Sequence, residues 1–141
     1  MVTRGDILGA RKLLEKNRKD IIETLKSISI QYKKDSQIIL DTCTSEIAKM
    51  KLTADEAPTP EKHEKLVKNT DRMNIAFQEF ASAIKSTEEK RYRSSINHYR
   101  ASKKHAIIIL QNLAAPEKKK QIIDRYKIHI VDNRQGIFRK G

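Results

Sequence analysis

Between Ala10 and Leu52 the chain contains neither glycine nor proline, and its apolar residues recur at helical spacing. Ile7, Ala10, Leu14, Ile21, Leu25, Ile28, Tyr32, Ile39, Cys43, Ile47 and Met50 follow one another mostly in steps of three, four and seven. Such steps place side chains on one stripe of an α-helix. With Asp6 as N-cap, the pattern predicts a first long helix over 6–52. Asp35 and Ser36 fall where the stripe expects apolar residues, which reads as a stutter within one helix. At 1.5 Å per residue this helix is about 70 Å long, too long for a compact domain of this size.

The rest of the chain has to accommodate that rod. Only four glycines and three prolines occur in 141 residues, and there is no tryptophan, so long helices are favoured over a sheet with many turns. The predicted fold class is all-α, a long antiparallel helical hairpin or bundle forming one elongated domain over 1–141. "TADEAPTP" breaks the first helix, and Thr59 before Pro60 and Glu61 is an N-cap followed by a first-turn proline and an acid suited to the helix dipole. A returning helix or helix pair over 60–115 follows. Its stripes run through Leu66, Thr70, Met73, Phe77, Phe80 and Ile84, then through Tyr92, Ile96, Tyr99, Lys103, Ala106, Leu110 and Leu113. In "KSTEEK" between them, Ser86 and Glu89 have capping-box spacing, so either a new helix starts there or one helix continues through a second stutter. Residues 116–141 form a basic C-terminal element. "APEKKKQIIDRY" predicts a short helix, and the alternating "YKIHIV" with "DNRQG" and "IFRK" is either a small β-hairpin or a frayed tail.

The formal charge of +12 is unevenly placed. Residues 1–57 hold 11 basic and 9 acidic side chains, whereas residues 58–141 hold 19 basic and 9 acidic. The asymmetry implies an acidic partner. It peaks in "KRYRSSINHYRASKKH", residues 90–105, which carry six Lys or Arg and no acid. On a helix, Lys90, Arg93, Asn97, Arg100 and Lys104 share one face, while Arg91, Ser95, His98, Ser102 and His105 share another. Roughly two thirds of the circumference is then polar and cationic. Like charges at i, i+4, such as Arg100 and Lys104, repel unless a polyanion relieves them, and serines let a phosphate backbone come close. The predicted nucleic-acid contacts are Lys90, Arg91, Arg93, Asn97, Arg100, Lys103 and Lys104. A second patch or arm adds Lys118, Lys119, Lys120, Arg125, Arg134, Arg139 and Lys140.

Catalytic and cofactor chemistry finds no pattern to rest on. "GDILGARK" lacks P-loop spacing and follows no strand, so no phosphate-cradling loop is expected. His98 and His105 have no cysteine or carboxylate beside them in sequence to complete a metal site. The lone Cys43 lies on the first apolar stripe, where it packs as a small core residue, and it cannot form an internal disulfide. No catalytic residue, metal or cofactor is expected, and the chain reads as a binding protein rather than an enzyme. There is no apolar run long enough for a signal peptide or a membrane span, which predicts a soluble, cytoplasmic chain unless it is packaged in a larger complex. The stripes are too long for a helix-turn-helix, and neither RNP aromatics nor zinc-finger spacing occurs, which leaves sequence-independent backbone binding.

A basic chain of this size, built from two or three long helices with a small C-terminal element, resembles the major coat proteins of rod-shaped and filamentous archaeal DNA viruses. The resemblance spans roughly 4–131 as architecture and charge, and it transfers no residue roles. In that family helical protomers pair and wrap A-form DNA along a filament. It therefore implies DNA rather than RNA as partner, a homo- or hetero-oligomer of similar helical subunits, and a place in a virion or nucleoprotein complex. The alternative from the residues themselves is a helical scaffold or interaction protein that binds an acidic protein or an anionic membrane.

Overall fold

Arg4–Glu56 form one uninterrupted helix of 53 residues, α1, in a computed structural model that describes residues 4–135. The absence of helix breakers is enough to carry it through Asp35 and Ser36. Ser36 is fully buried there and donates its hydroxyl to the Tyr99 carbonyl at 3.2 Å, so the stutter marks a polar contact rather than a bend. Asp6 lies within the first turn, not ahead of it, and complements the helix dipole from there. After the connector, α2 runs Pro60–Glu88. Thr59 caps it by accepting from the Lys62 amide at 3.1 Å, with Pro60 in the first turn as its fixed φ favours.

The chain over 60–115 is a helix pair. Lys90 adopts a left-handed φ of 60°, the Arg91 amide reaches the Ser86 carbonyl at 2.8 Å, and the Lys90 amide reaches Thr87 at 2.9 Å. Those two bonds are a Schellman closure of α2, in which Lys90 occupies the place glycine usually takes. Ser86 therefore ends a helix instead of capping the next one. α3 then runs Tyr92–Leu113.

Polar contacts fix the directions of the helices. Thr87 meets Ser95, Glu79 meets His98, Ala76 meets Ser102 and Asn69 meets Asn112, so α2 and α3 are antiparallel and closely packed. Ser29 meets Ser95, Ser36 meets Tyr99 and Cys43 meets Ala106, so α3 runs parallel to α1. The second and third segments do not both return along the first helix; only α2 does. A 3-10 turn at Pro116–Lys118 leads to α4, Lys119–Arg125, and then α5, Lys127–Gln135, which packs on α3. The segment "YKIHIV", expected as either a small β-hairpin or a frayed tail, enters α5 from Lys127, and Tyr126 and Ile130, one turn apart, both reach the core. Six alternating residues fit both periods, and packing decides between them. Residues 136–141, the other arm of the expected hairpin, lie outside the described part, and no strand occurs among the described residues.

The core joins Ile39, Leu40 and Cys43 of α1 to Met73 and Ala76 of α2, Ala106, Ile107, Ile109 and Leu110 of α3, and Tyr126. On α2 the inward face passes through Asn69, Met73, Ala76, Ala83 and Ser86, while Thr70 is exposed and Phe77 is 46% exposed. Of the expected α2 stripe, Met73 lies in the core and Phe80 packs against it, while at Thr70, Phe77 and Ile84 the buried position is the preceding residue, Asn69, Ala76 and Ala83. Small residues at the contact let the helix axes approach, and the buried side chains of Ser29, Ser36, Ser95, Ser102 and Cys43 then bond across the gap. The three main helices differ greatly in length. α2 spans about 43 Å and α3 about 33 Å, against about 80 Å for α1. As a result α1 continues past the α2–α3 turn, and every residue from 6 to 24 is exposed.

Candidate nucleic-acid interface

α3 is the central helix, contacted by α1, α2 and α5, and this decides which of its cations reach solvent. Lys90, Arg91, Arg93, Asn97 and Lys104 are exposed. Arg100 and Lys103 are only 5% and 1% exposed and cannot touch a phosphate backbone. Both point at Asp132 of α5. The Asp132 Oδ1 accepts from the Tyr32 hydroxyl at 2.7 Å and from Arg100 Nη2 at 3.1 Å. Its Oδ2 accepts from Arg100 Nε and from Lys103 Nζ, each at 3.3 Å. Arg100 also donates to Asn97 Oδ1 at 3.1 Å, and Lys103 Nζ lies 4.3 Å from the centre of the Tyr32 ring. The predicted contacts Arg100 and Lys103 are thus structural. Lys103 had already appeared on the apolar stripe of α3, which was the correct signal.

The electrostatics of this cluster follow from two cations sharing one carboxylate. Burial pushes the Asp132 carboxyl pKa up, but hydrogen bonds from Arg100 and Tyr32 and the charges of Lys103 and Arg100 outweigh it, and the carboxyl titrates below its usual range. Burial lowers Lys103, and Asp132 offsets this only in part. His129 is lowered by burial and by the Lys103 charge. Its Nδ1 lies 3.2 Å from Lys103 Nζ and must accept, which assigns the neutral ring with its proton on Nε2.

Two of the three serines in residues 90–105, Ser95 and Ser102, also face inward. The Ser95 hydroxyl sits 2.8 Å from Ser29 and 2.6 Å from Thr87, and Ser102 donates to the Ala76 carbonyl at 2.8 Å. Both interlock helices, which leaves Ser94 as the serine of this stretch at the cationic surface. Nor does the cationic surface cover two thirds of α3, since α1, α2 and α5 occupy most of its circumference. His98 does have a carboxylate partner, Glu79 Oε2 at 2.7 Å, supplied from α2 and invisible in local sequence. His105 meets Arg72 at 3.2 Å, and burial followed by the charges of Arg72 and Lys104 holds its pKa below the ordinary value. No cluster of potential metal ligands occurs among the described residues. Cys43 is buried and donates its thiol to the Ala106 carbonyl at 3.0 Å, and burial pushes its pKa up to about 12, with Glu46 adding to the rise. It behaves as the core residue expected.

The remaining cations fall into three groups. Lys90, Arg91 and Arg93 converge with Ser94 on one shallow depression walled by Ile22 and Leu25 of α1. Arg91 pairs there with Glu89 at 3.1 Å, an exposed contact worth little in water. α3 begins at this depression with no side-chain cap and no acid in its first turn, so the positive end of its dipole adds to the three charges. Lys104 and Arg134 line a groove between α3 and α5 with Gln111 and Asn133. Around α4, Lys118, Lys119, Lys120 and Arg125 are exposed, but Glu61 and Glu64 share a depression with Lys119, and Glu46 shares one with Lys118 and Arg125. Arg139 and Lys140 lie outside the described residues. No described helix is long and apolar enough to cross a membrane. Compared with known proteins, the chain matches no protein-family model, no curated protein and no solved structure.

Proposed function

We propose that this is a structural, sequence-independent nucleic-acid-binding protein, a coat-type subunit that lies along DNA in a filament. The observation that carries the reading is the convergence of Lys90, Arg91 and Arg93 at the start of α3, at the positive end of that helix and with no acid in its first turn. Lys104 and Arg134 add a second, separate cationic patch between α3 and α5. Backbone phosphates need only closely spaced positive charge and hydrogen-bond donors, and give no reading of base sequence. The function is binding, without catalysis and without a cofactor.

The experiment is a salt titration of affinity for duplex DNA. Each phosphate neutralised lowers log affinity by about 0.9 per unit of log salt, so the three cations at the head of α3 alone give a slope near −3. The double variant Arg91→Gln/Arg93→Gln is expected to weaken binding to all sequences equally and to reduce the slope by about 2. A slope near zero, or a loss confined to one sequence, removes the proposal.

A second reading is a helical scaffold that meets an acidic protein or an anionic membrane surface. Burial of Arg100 and Lys103 favours it, because what remains is a set of separate patches instead of one cationic track along α3. A preparation made without nuclease that carries no nucleic acid and floats with anionic vesicles supports this alternative.

A further inference from the structure

We infer that the exposed first third of α1 is a self-association surface, which pairs antiparallel with the same segment of a second copy of this chain. The segment from 6 to 24 makes no buried contact of its own, yet it displays Ile7, Leu14 and Ile21 at 51%, 66% and 53% exposure, flanked by Leu8, Leu13 and Ile22. Helices in proteins owe most of their stability to packing of an apolar face, and no other described helix covers this one from Ile7 to Ile21. The stripe is also not a new one. Ile7 and the fully buried Cys43 are 36 residues apart, ten turns at 3.6 residues each, so the bare stripe continues the face that carries the core. α2 and α3 cover that face up to Leu25 and stop at their turn, where Ile22 and Leu25 meet Lys90 to Ser94.

The body of the molecule selects the orientation. α2 and α3 lie on the same side of α1 as the stripe, so a parallel second copy drives its body into the first. An antiparallel copy places its own bare segment in the space beyond the α2–α3 turn and its body beyond the first copy's N-terminal end. Both bare faces, about 30 Å long, are then covered by one isologous contact centred near Leu14. Charge favours a second copy over a polyanion here. Residues 6–24 hold five basic and four acidic side chains, a nearly neutral segment in a chain of net charge +12. In this register Arg11 of one copy falls beside Arg18 of the other, so added salt screens a repulsion and tightens the pair. That is the opposite sign from phosphate binding.

The inference names the subunit contact of the proposed filament and rests on the oligomeric part of that reading, so it is tested on nuclease-treated protein free of nucleic acid. Sedimentation equilibrium is expected to give twice the 16.3 kDa chain mass, with association that strengthens from low to high salt. Leu14→Glu/Ile21→Glu should weaken association more than about 100-fold, since four charges enter an apolar contact, while thermal unfolding of the core stays unchanged. Orientation is read by cysteine crosslinking, with the wild type, whose Cys43 is buried, as control. Leu14→Cys is expected to oxidise to a covalent dimer and Ile7→Cys alone is not, whereas Ile7→Cys mixed with Ile21→Cys is. A monomer at high micromolar concentration, a dimer that survives the double glutamate variant, or Ile7→Cys crosslinking as readily as Leu14→Cys each overturns the inference. Flat salt dependence of DNA binding with an intact dimer removes only the nucleic-acid reading.

Discussion

Lys90 and Asp132 show how single residues set the balance between fold and surface. Lys90 holds a left-handed φ of 60° at the Schellman closure of α2, a conformation that costs a non-glycine residue about 1 kcal/mol. Lys90→Gly is therefore expected to stabilise the fold by about 1 kcal/mol in urea unfolding, and at the same time to lower the salt slope of DNA binding by about 0.9. A stabilised variant with an unchanged slope removes Lys90 from the interface without touching the turn. Asp132 is the reverse case. Among the described residues its carboxylate is the acid bonded to both Arg100 and Lys103, whose side chains are 7% and 2% exposed. Asp132→Asn removes the carboxylate that both buried cations bond, leaving Lys103 only the more distant charge of Asp35, and is expected to cost about 3 kcal/mol, far more than a surface change such as Arg93→Gln. Neither role is legible in sequence. The basic run at 90–105 reports how much charge there is, not which way each side chain points, and the carboxylate that claims two of those cations lies about 30 residues away.

At the level of elements, uninterrupted periodicity and the Thr59 cap are legible locally, whereas Asp6 lies inside the first turn of α1 and Ser86 closes α2 instead of capping α3. The freedom of 10–52 from breakers gave α1, and Thr59-Pro60 gave the start of α2. What needs tertiary contact is not legible there: the α2 face that follows Ala76 and Ala83 rather than Phe77, and the helix α5 in place of a hairpin or frayed tail. The attachment of α5 depends heavily on polar groups. Ile128 is 83% exposed, and among the described residues of α5 Ile130 packs against the core, so Asp132 and His129, bonded to Arg100 and Lys103, do much of the holding. Both titrate below their ordinary values in the fold. A depressed folded pKa contributes stability that is present above the unfolded value and lost as pH falls through the folded one. His129 faces Lys103, Asp132 and Asp35, and Asp132 faces Arg100, Lys103 and Tyr32. Acidification should thus loosen α5 in two stages, the first below about pH 6.5 and the second below about pH 4. Hydrogen exchange of the α5 amides against pH checks this, and the α3 amides serve as reference. Protection that holds down to pH 3 rules it out.

The whole molecule is a short helical body on one end of a long rod, and its stability has to be graded along that rod. From Ser29 to Ala54, α1 shares the core or its hydroxyl contacts, so exchange there requires disruption of the body. From 6 to 24 it shares neither, so in a lone chain only the helix–coil equilibrium protects those amides, and a segment of about 20 residues is marginal in water. Association changes this by mass action, because a partner that binds the helical form stabilises it in proportion to its concentration. Exchange in the 6–24 amides should accordingly slow as protein concentration rises, while the 29–54 amides stay constant. In Leu14→Glu/Ile21→Glu the first set should exchange fast at every concentration and the second set should again not move. Concentration-independent protection of the first set means that the helix holds by its own propensity, and equal slowing of both sets means that association acts through the body. The same measurement on the DNA-bound protein separates the two surfaces, because phosphate contact at Lys90, Arg91 and Arg93 lies at the junction of rod and body. It should protect the start of α3 without reaching Ile7 or Leu14.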